Sequence, residues 1–312
     1  MVPRLKILYF FLDLILPLTV GYILCRRPRV MRVLDKVMVV NLMTLGPVLS
    51  TLSFWAIQLR PALLWLPFLG LAMQLIPGGV AFLRARRKFV DPRDQGSYIL
   101  STMLSNRGTV GVLTAFLLLG EASYAPAQLI MLLAPAVTYF FCFPLAQRFR
   151  TEHGEHQHSR PPLISSLFNR NMAPALGIIA GLALNYSGMK RPDVMATAFP
   201  WLLHANMWLF ILPLGAAINL DKMHCYWRDI CELLGIKFVL TPAVVYALAR
   251  LANLARENIP VVVILACAPT AILAVVAVKL HDLNIHLAMA AFVLTTLTYL
   301  VVILPALGYL FG

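Results

Sequence analysis

Long apolar runs, separated by a few short polar segments, make up most of this chain of 312 residues. The hydrocarbon core of a bilayer is about 30 Å thick, so a helical crossing needs roughly 20 apolar residues. The pattern therefore predicts an all-α membrane protein with ten transmembrane helices. We place them at 7–25, 37–59, 62–83, 97–119, 126–147, 172–188, 194–219, 230–250, 259–280 and 284–311.

The basic residues are divided unevenly between the two sets of connecting segments. The segments that follow odd-numbered helices hold 17 of the 26 Lys and Arg residues, and the segments on the other side hold 7. Because the cytoplasmic loops of membrane proteins carry the excess of Lys and Arg, this bias predicts both termini outside. A bacterial inner membrane is the expected location.

Composition excludes an ordinary soluble domain, since 60% of the residues are apolar, 12% are charged and the mean hydropathy is +0.80. We attribute the net charge of +13 to membrane topology rather than to nucleic-acid binding. The five cysteines are odd in number and lack metal-ligand spacing, so neither a disulfide framework nor a zinc site is expected. No cofactor is expected, and the histidines at 153–158 lie in a polar loop without cysteine partners.

The longest polar stretch, 148–170, divides the predicted helices five and five. Five is odd, so a second copy of the first half would insert upside down, which is the inverted-repeat arrangement of many carriers. Segment 117–147 also matches segment 277–307 at a shift near 160. We therefore predict a first repeat at 1–150, a cytoplasmic linker at 151–171 and a second repeat at 172–312.

Polar or helix-breaking residues interrupt helices four and nine, which correspond in the two predicted halves. In repeat-built carriers such broken helices cross near the bilayer centre, where their positive N-terminal ends and free backbone groups bind substrate. Two such breaks together predict an anion site. The candidate binding residues there are Asn106, Arg107, Gly108, Thr109, Gly111, Pro269 and Thr270.

Arg107 carries the strongest chemical signal, because a guanidinium at mid-membrane is costly unless it is paired or hydrated. It should face either an aqueous cavity or an acid, and its planar fork suits a carboxylate. Asp13 and Glu232 are the candidate internal acids, and either would also serve as a proton-coupling group. Lys237, two turns into helix eight, is expected to snorkel toward the inner face.

The equivalent helices two and seven add three further candidates for the substrate site, Asn41, His204 and Asn206. A histidine titrates near physiological pH, so His204 is a candidate for binding substrate or a proton. A packing or interfacial role for His204 remains the alternative.

The segments LSNRGTVGVLTAFLLLGEAS at 104–123 and CAPTAILAVVAVKLHDLNIHLAMAAFVLTTLTYLVVILP at 267–305 resemble the auxin efflux carrier family. This family includes plant PIN-type carriers and bacterial malonate or malate permeases. The resemblance implies ten helices in a 5+5 inverted repeat, a scaffold with a mobile bundle, and a carboxylate site where the broken helices cross. Arg107 departs from the family pattern, which more often has threonine there.

We therefore predict a secondary transporter, not an enzyme, that moves a small organic anion, expected to be a carboxylate, by alternating access. Its expected partners are that substrate, the bilayer and, in the coupled case, protons, with no nucleic acid; a homodimer is left open. A bile-acid/sodium symporter-like carrier is the alternative family, although the breaks offer Arg107 and no acid for sodium. A channel or a membrane sensor would use the same broken helices.

Overall fold

A computed structural model describes residues 3–24, 28–58, 60–150, 173–216 and 226–311. These residues are helical apart from short connections. They contain no strand, only an isolated antiparallel bridge between Ser105 and Thr270. The predicted all-α class is confirmed for this part of the chain, and the histidine-rich loop lies outside the described residues.

The described residues of the first half form nine helices of different lengths. Its helices are α1 (Pro3–Leu24), α2 (Pro28–Met43), α3 (Leu45–Trp55), α4 (Leu66–Lys88), α5 (Pro92–Met103), α6 (Val112–Leu119), α7 (Tyr124–Met131), α8 (Ala134–Val137) and α9 (Phe143–Arg148). Short 3₁₀ turns at Pro61–Trp65 and Glu121–Ser123 lead into α4 and α7.

The described residues of the second half form eight helices. Its helices are α10 (Ala173–Tyr186), α11 (Asp193–Ala216), α12 (Trp227–Gly235), α13 (Thr241–Leu251), α14 (Ile259–Ala266), α15 (Ile272–Leu280), α16 (Ile285–Thr298) and α17 (Leu304–Phe311).

Side-chain caps mark two helix starts, of which the sequence predicts that of α16 to within one residue and places that of α5 five residues too late. The Asp91 carboxylate accepts a hydrogen bond from the Arg93 N–H at 2.8 Å and begins α5. The Asn284 amide oxygen accepts from the His286 N–H at 3.0 Å and from the Leu287 N–H at 3.2 Å, which begins α16. Such caps satisfy N–H groups that have no partner inside the helix.

Four turns of rare π-helix interrupt the α-helical pattern in the described residues. They span Arg107–Gly111, Thr138–Cys142, Ile236–Leu240 and Tyr299–Ile303. π-Helical turns insert a residue into a helix and occur frequently at functional sites. Two buried cations of the interior, Arg107 and Lys237, lie on such turns.

Six helical segments in the described residues are long and apolar enough to cross a bilayer. They are Lys36–Trp55, Pro61–Lys88, Glu121–Arg148, Asp193–Pro213, Trp227–Leu251 and Ile285–Phe311. Shorter apolar helices cover Leu12–Leu24, Arg107–Leu119 and Ala173–Tyr186. Ten crossings, their inverted pairing and the outside position of the termini stay predictions.

The helices pack in two groups. The first helix group consists of α1, α2, α3, α10 and α11, with α3 against α10 and α1 against α11. Glycines bring these backbones together: a Cβ on Gly177 would lie 2.2 Å from the Pro47 oxygen, and one on Gly215 would lie 2.0 Å from the Leu18 oxygen. The second helix group contains α4–α9 and α12–α17, and the groups meet where α3 packs against α7 and α1 against α6.

Candidate functional site

Two helix breaks lie side by side inside the second helix group. The first break (104–106) follows α5, and the second break (267–271) follows α14. The Asn106 N–H donates to the Pro269 oxygen at 2.7 Å, and the Ala271 N–H donates to the Leu104 oxygen at 3.0 Å. Because unpaired peptide groups are costly in a membrane, each break supplies the partners that the other lacks.

The residues of the second break explain its geometry. Pro269 has no N–H and cannot continue a helix, which ends α14. Thr270 then holds the extended backbone in place. Its N–H donates to Thr295 Oγ1 at 3.0 Å, and its hydroxyl donates to the Ser101 oxygen at 3.0 Å. The second break is therefore fixed to α5 and α16 by hydrogen bonds on both sides.

The first break is stabilised by its own polar residues. The Thr109 hydroxyl donates to the Asn106 side-chain oxygen, and the Gly111 N–H donates to the Asn106 carbonyl at 3.1 Å. Gly111 also lies close to α14, where an added Cβ would meet Leu265 at 3.5 Å. Asn106, Thr109 and Gly111 thus shape the turn that carries Arg107 and Gly108.

Arg107 is 4% exposed, and its guanidinium lies against α4. It donates to the Met73 oxygen at 3.3 Å and to the Gly70 oxygen at 3.5 Å. Pro77 has no N–H, so the Met73 carbonyl four residues earlier lacks its usual helical donor. Both contacts are longer than an ordinary hydrogen bond. No described acid forms an ion pair with Arg107.

Lys237 occupies a position that the sequence does not predict. Instead of snorkelling, its side chain is 2% exposed and its ammonium donates to Ser105 Oγ at 2.7 Å and to the Leu104 oxygen at 3.4 Å. The snorkelling prediction is wrong because the first break provides acceptors at the depth of Lys237. A charge can remain buried where such partners are available.

A cavity of about 290 Å³, the break cavity, opens beside the first break. Arg107 and Gly108 line it, together with Ser105 and with Ala271 from the second break. Its further polar lining residues are Gln74, Gln128, Thr138 and Tyr139, and its apolar lining residues include Met131, Leu132, Pro135, Phe143, Pro174 and Ile178. The cavity therefore lies between the break and residues of both helix groups.

The two predicted coupling acids lie elsewhere and do not pair with Arg107. Asp13 on α1 is buried, with its carboxylate 2.7 Å from His204 Nδ1, and it accepts from Trp208 Nε1 at 3.0 Å. Glu232 forms ion pairs with Arg84 at 3.0 Å and Lys88 at 3.6 Å. Asp13 and His204 thus form one cluster between α1 and α11, whereas Glu232 pairs with the basic end of α4.

Asn41 and Asn206 come together in the first helix group. The Asn41 amide donates to the Asn206 backbone oxygen at 3.1 Å, and the two side chains are 2% and 3% exposed. Their side-chain oxygens have no hydrogen-bond partner among the described residues. This pair joins α2 to α11 and is not among the residues that line the break cavity.

The sequence matches the family described as membrane transport protein over residues 91–309, which is more than half of the chain and includes both breaks. The chain belongs to this family. The expected kinship with auxin efflux carriers is thereby confirmed. The chain is also similar to an uncharacterized transporter of Methanocaldococcus jannaschii, with 25% identity over 238 residues, or 74% of each chain. The protein is an integral membrane protein.

A second cavity has a volume of about 610 Å³ and is lined by loops and helix ends. We name it the outer vestibule because the sequence analysis predicts that its loops lie outside. Two ion pairs border it. Arg191 donates to the Leu52 oxygen of the first helix group at 2.9 Å and forms an ion pair with Glu121 of the second. Arg191 therefore connects the two helix groups. Arg60 pairs with Glu257 at 3.0 Å, and both of these side chains are more than half exposed.

An apolar layer separates the two cavities of the transporter. Its buried members are Phe54, Ala125 and Ile178, with Ile57, Leu129, Leu132 and Leu182 packed against them. Ile178 and Leu132 line the break cavity, whereas Ile57 and Ala125 line the outer vestibule. The layer therefore extends from the lining of one cavity to the lining of the other.

Sequence reasoning missed several polar residues of the break cavity. Ser105 is not among the predicted site residues, although it directly precedes Asn106, and neither is Lys237, which bonds to Ser105 from outside the cavity lining. Gln74 and Gln128 are single amides within apolar runs, which is itself a signal, because polar side chains at membrane depth are often functional. Thr138 and Tyr139 reach the cavity from a π-helical turn that no local pattern predicts.

Proposed function

We propose that this protein is a secondary active transporter that moves a small organic anion, a carboxylate, by alternating access. One observation carries the proposal: Arg107 lines a cavity at paired helix breaks, and its guanidinium has no acidic partner in the described part of the chain. A bound carboxylate would complete its hydrogen bonding.

Energetics support an anion rather than a neutral solute. A buried arginine without a partner costs several kcal/mol or more in a membrane. A carboxylate accepts two parallel hydrogen bonds from the guanidinium fork, and charge-assisted bonds are about twice as strong as neutral ones. Both breaks also begin new helices, at Arg107 and at Ile272, whose N-terminal ends favour negative charge.

The size of the break cavity supports a small substrate. Sites for small molecules typically measure roughly 300–1,000 Å³, and the break cavity is near the lower limit at about 290 Å³. In this proposal Arg107 and Gly108 contact the carboxylate directly. Asn106, Thr109, Gly111, Pro269 and Thr270 hold the backbone that forms the floor of the site.

Three features support the predicted 5+5 repeat with crossing helices four and nine. The breaks lie in corresponding helices and pair through their backbones. The π-helical turns at Thr138–Cys142 and Tyr299–Ile303 lie 161 residues apart, close to the shift of the sequence match. In this proposal the two helix groups serve as a scaffold and a moving bundle. We propose that the relative movement of the two helix groups opens the site alternately to one side of the membrane through the break cavity and to the other side through the outer vestibule.

Asp13 and His204 remain the candidates for proton coupling, since their side chains are 2.7 Å apart at the contact of α1 with α11. Asn41 and Asn206, on helices of the same group, would adjust with the same movement. Glu232 is a weaker candidate because two basic side chains already hold it.

Uptake into liposomes tests the proposal. The purified full chain is reconstituted, and uptake of labelled malonate, malate and benzoate is measured with and without sodium and with a pH gradient. We expect saturable uptake and counterflow of at least one anion, without a sodium requirement. Sodium-dependent uptake would favour the symporter-like alternative, a non-saturable conductance would favour a channel, and no flux of any anion would contradict the transport proposal.

A further inference from the structure

Ser105 lies between two parts of the site. On one side it lines the break cavity, and on the other its hydroxyl oxygen is 2.7 Å from the Lys237 ammonium. Within the described residues, the Ser105 side chain forms its hydrogen bond with Lys237. Lys237 itself is absent from the lining of the cavity. The hydrogen bond to Ser105 therefore joins Lys237 to a side chain that lines the cavity.

Hydrogen-bond chemistry gives this contact a direction. An ammonium has three donors and no acceptor, whereas a hydroxyl both donates and accepts. When Lys237 is charged, the Ser105 oxygen must accept from it, which leaves the Ser105 O–H free to donate elsewhere. Donation by the ammonium also polarises the hydroxyl and strengthens it as a donor. The cavity offers the space into which this O–H can point.

We propose that Lys237 is a positioning residue of the transport site, which holds Ser105 as a hydrogen-bond donor to an anion bound beside Arg107. The proposal deepens the proposed function and rests on it for the identity of the occupant. Arg107 is two residues beyond Ser105, so two cations, Arg107 and Lys237, border the same region. An anion placed between Ser105 and Arg107 would reduce the repulsion between the two cations, Lys237 and Arg107.

A purely structural role for Lys237 would be to cap α5. Its ammonium also donates to the Leu104 oxygen at 3.4 Å, next to the end of that helix, where cations are favoured. The two roles differ in what they require of Ser105. A cap depends on the Leu104 carbonyl alone, whereas a positioning role requires that Lys237 act on the atom at position 105 that faces the cavity.

Thiol chemistry separates the two roles without a known substrate. In a variant whose natural cysteines, at 25, 142, 225, 231 and 267, are replaced by alanine, Ser105→Cys places a sulfur next to the Lys237 ammonium. A neighbouring cation favours the thiolate, which is the reactive form. The rate of modification by methyl methanethiosulfonate at pH 6.5 is measured on the full chain in liposomes by intact mass. The same rate is then measured with Lys237→Met or Lys237→Gln added.

Thr138→Cys is the matched control, because residue 138 lines the same cavity without a described bond to Lys237. We expect the thiol introduced at position 105 to react at least tenfold faster with Lys237 than without it. The thiol introduced at position 138 should react equally in both backgrounds, which would also show that the Lys237 variants keep the fold of the cavity. Equal rates at position 105, or no reaction there, would overturn the proposal.

A transport arm then distinguishes this proposal from the proposed function. If malonate is transported, Ser105→Ala and Lys237→Met should each raise its KM about tenfold, and the double variant should be little worse than either. Ser105→Thr, which keeps the hydroxyl, should retain the low KM. Additive losses would contradict coupling between the two residues. A different outcome would refute the anion as occupant while keeping the contact between Lys237 and Ser105. In that outcome the thiol at position 105 reacts faster with Lys237 present, but malonate and benzoate neither slow this labelling nor are transported.

Discussion

Gly70 makes one of the closest helix contacts of the second helix group, and its replacement by alanine should affect both stability and the site. A Cβ at this position would lie 1.8 Å from the Ile130 backbone oxygen, although real Cβ atoms essentially never come within 3.0 Å of another group. The backbones of α4 and α7 would have to separate by more than about 1 Å. Overpacking of this kind costs roughly 1–3 kcal/mol or more.

Gly79 provides the matched control in the same helix, since an added Cβ meets nothing within 4 Å. Alanine there should stabilise by about 0.5–1 kcal/mol, because glycine is the poorer helix former. Gly70→Ala should therefore lower the thermal unfolding midpoint in detergent, and Gly79→Ala should keep or raise it.

Gly70→Ala should also weaken anion binding, because it moves the Gly70 and Met73 carbonyls that hold Arg107. The measurement is the KM of the variant for whichever anion the wild type transports. Equal midpoints for the two alanine variants would refute the claim that α4 and α7 touch through their backbones at Gly70.

Two further predictions concern charged groups outside the site. Glu121→Gln removes the part-buried ion pair with Arg191 that joins the helix groups. If this pair stabilises the contact between the groups by about 1–2 kcal/mol, its loss should speed the labelling of Leu132→Cys by an impermeant thiol reagent roughly 5–30-fold. Arg60→Gln, which breaks an exposed pair, should change that rate less than about fivefold. Burial and the positive charge of Arg150 lower the pKa of His281 below 6.5, and the negative charge of Asp282 only partly offsets this. Stability should therefore fall as pH decreases through the window just below 6.5, and His281→Gln should flatten that dependence of the unfolding midpoint.

The breaks themselves could be read from the sequence, and the reason is local. Pro269 cannot continue a helix, and Asn106 with Gly108 and Gly111 is unfavourable inside one. Apolar runs alone also give the helices that the structure describes, to within a few residues in most cases. Arg107 had to be buried beside a cavity or an acid, because its run of apolar neighbours leaves no route to water.

The partners across the fold could not be read in the same way. Lys237 can snorkel or point inward from the same position, and the acceptors that decide between these are Leu104 and Ser105, more than 130 residues away. Asp13 and His204 meet where α11 packs on α1, and Gly215 allows those two backbones to approach closely. Long-range packing of this kind depends on shape, which the order of apolar and polar residues does not specify.

The measurement that tests the central claim most directly is anion uptake by Arg107→Gln beside wild type and Arg87→Gln, whose arginine is exposed on the end of α4. The central claim is that a carboxylate binds the Arg107 guanidinium in the break cavity. Loss of two charge-assisted hydrogen bonds is worth about 3 kcal/mol or more, so the KM of Arg107→Gln should rise roughly a hundredfold. Arg87→Gln should transport like wild type at equal levels of folded protein. An unchanged KM in Arg107→Gln would contradict the account.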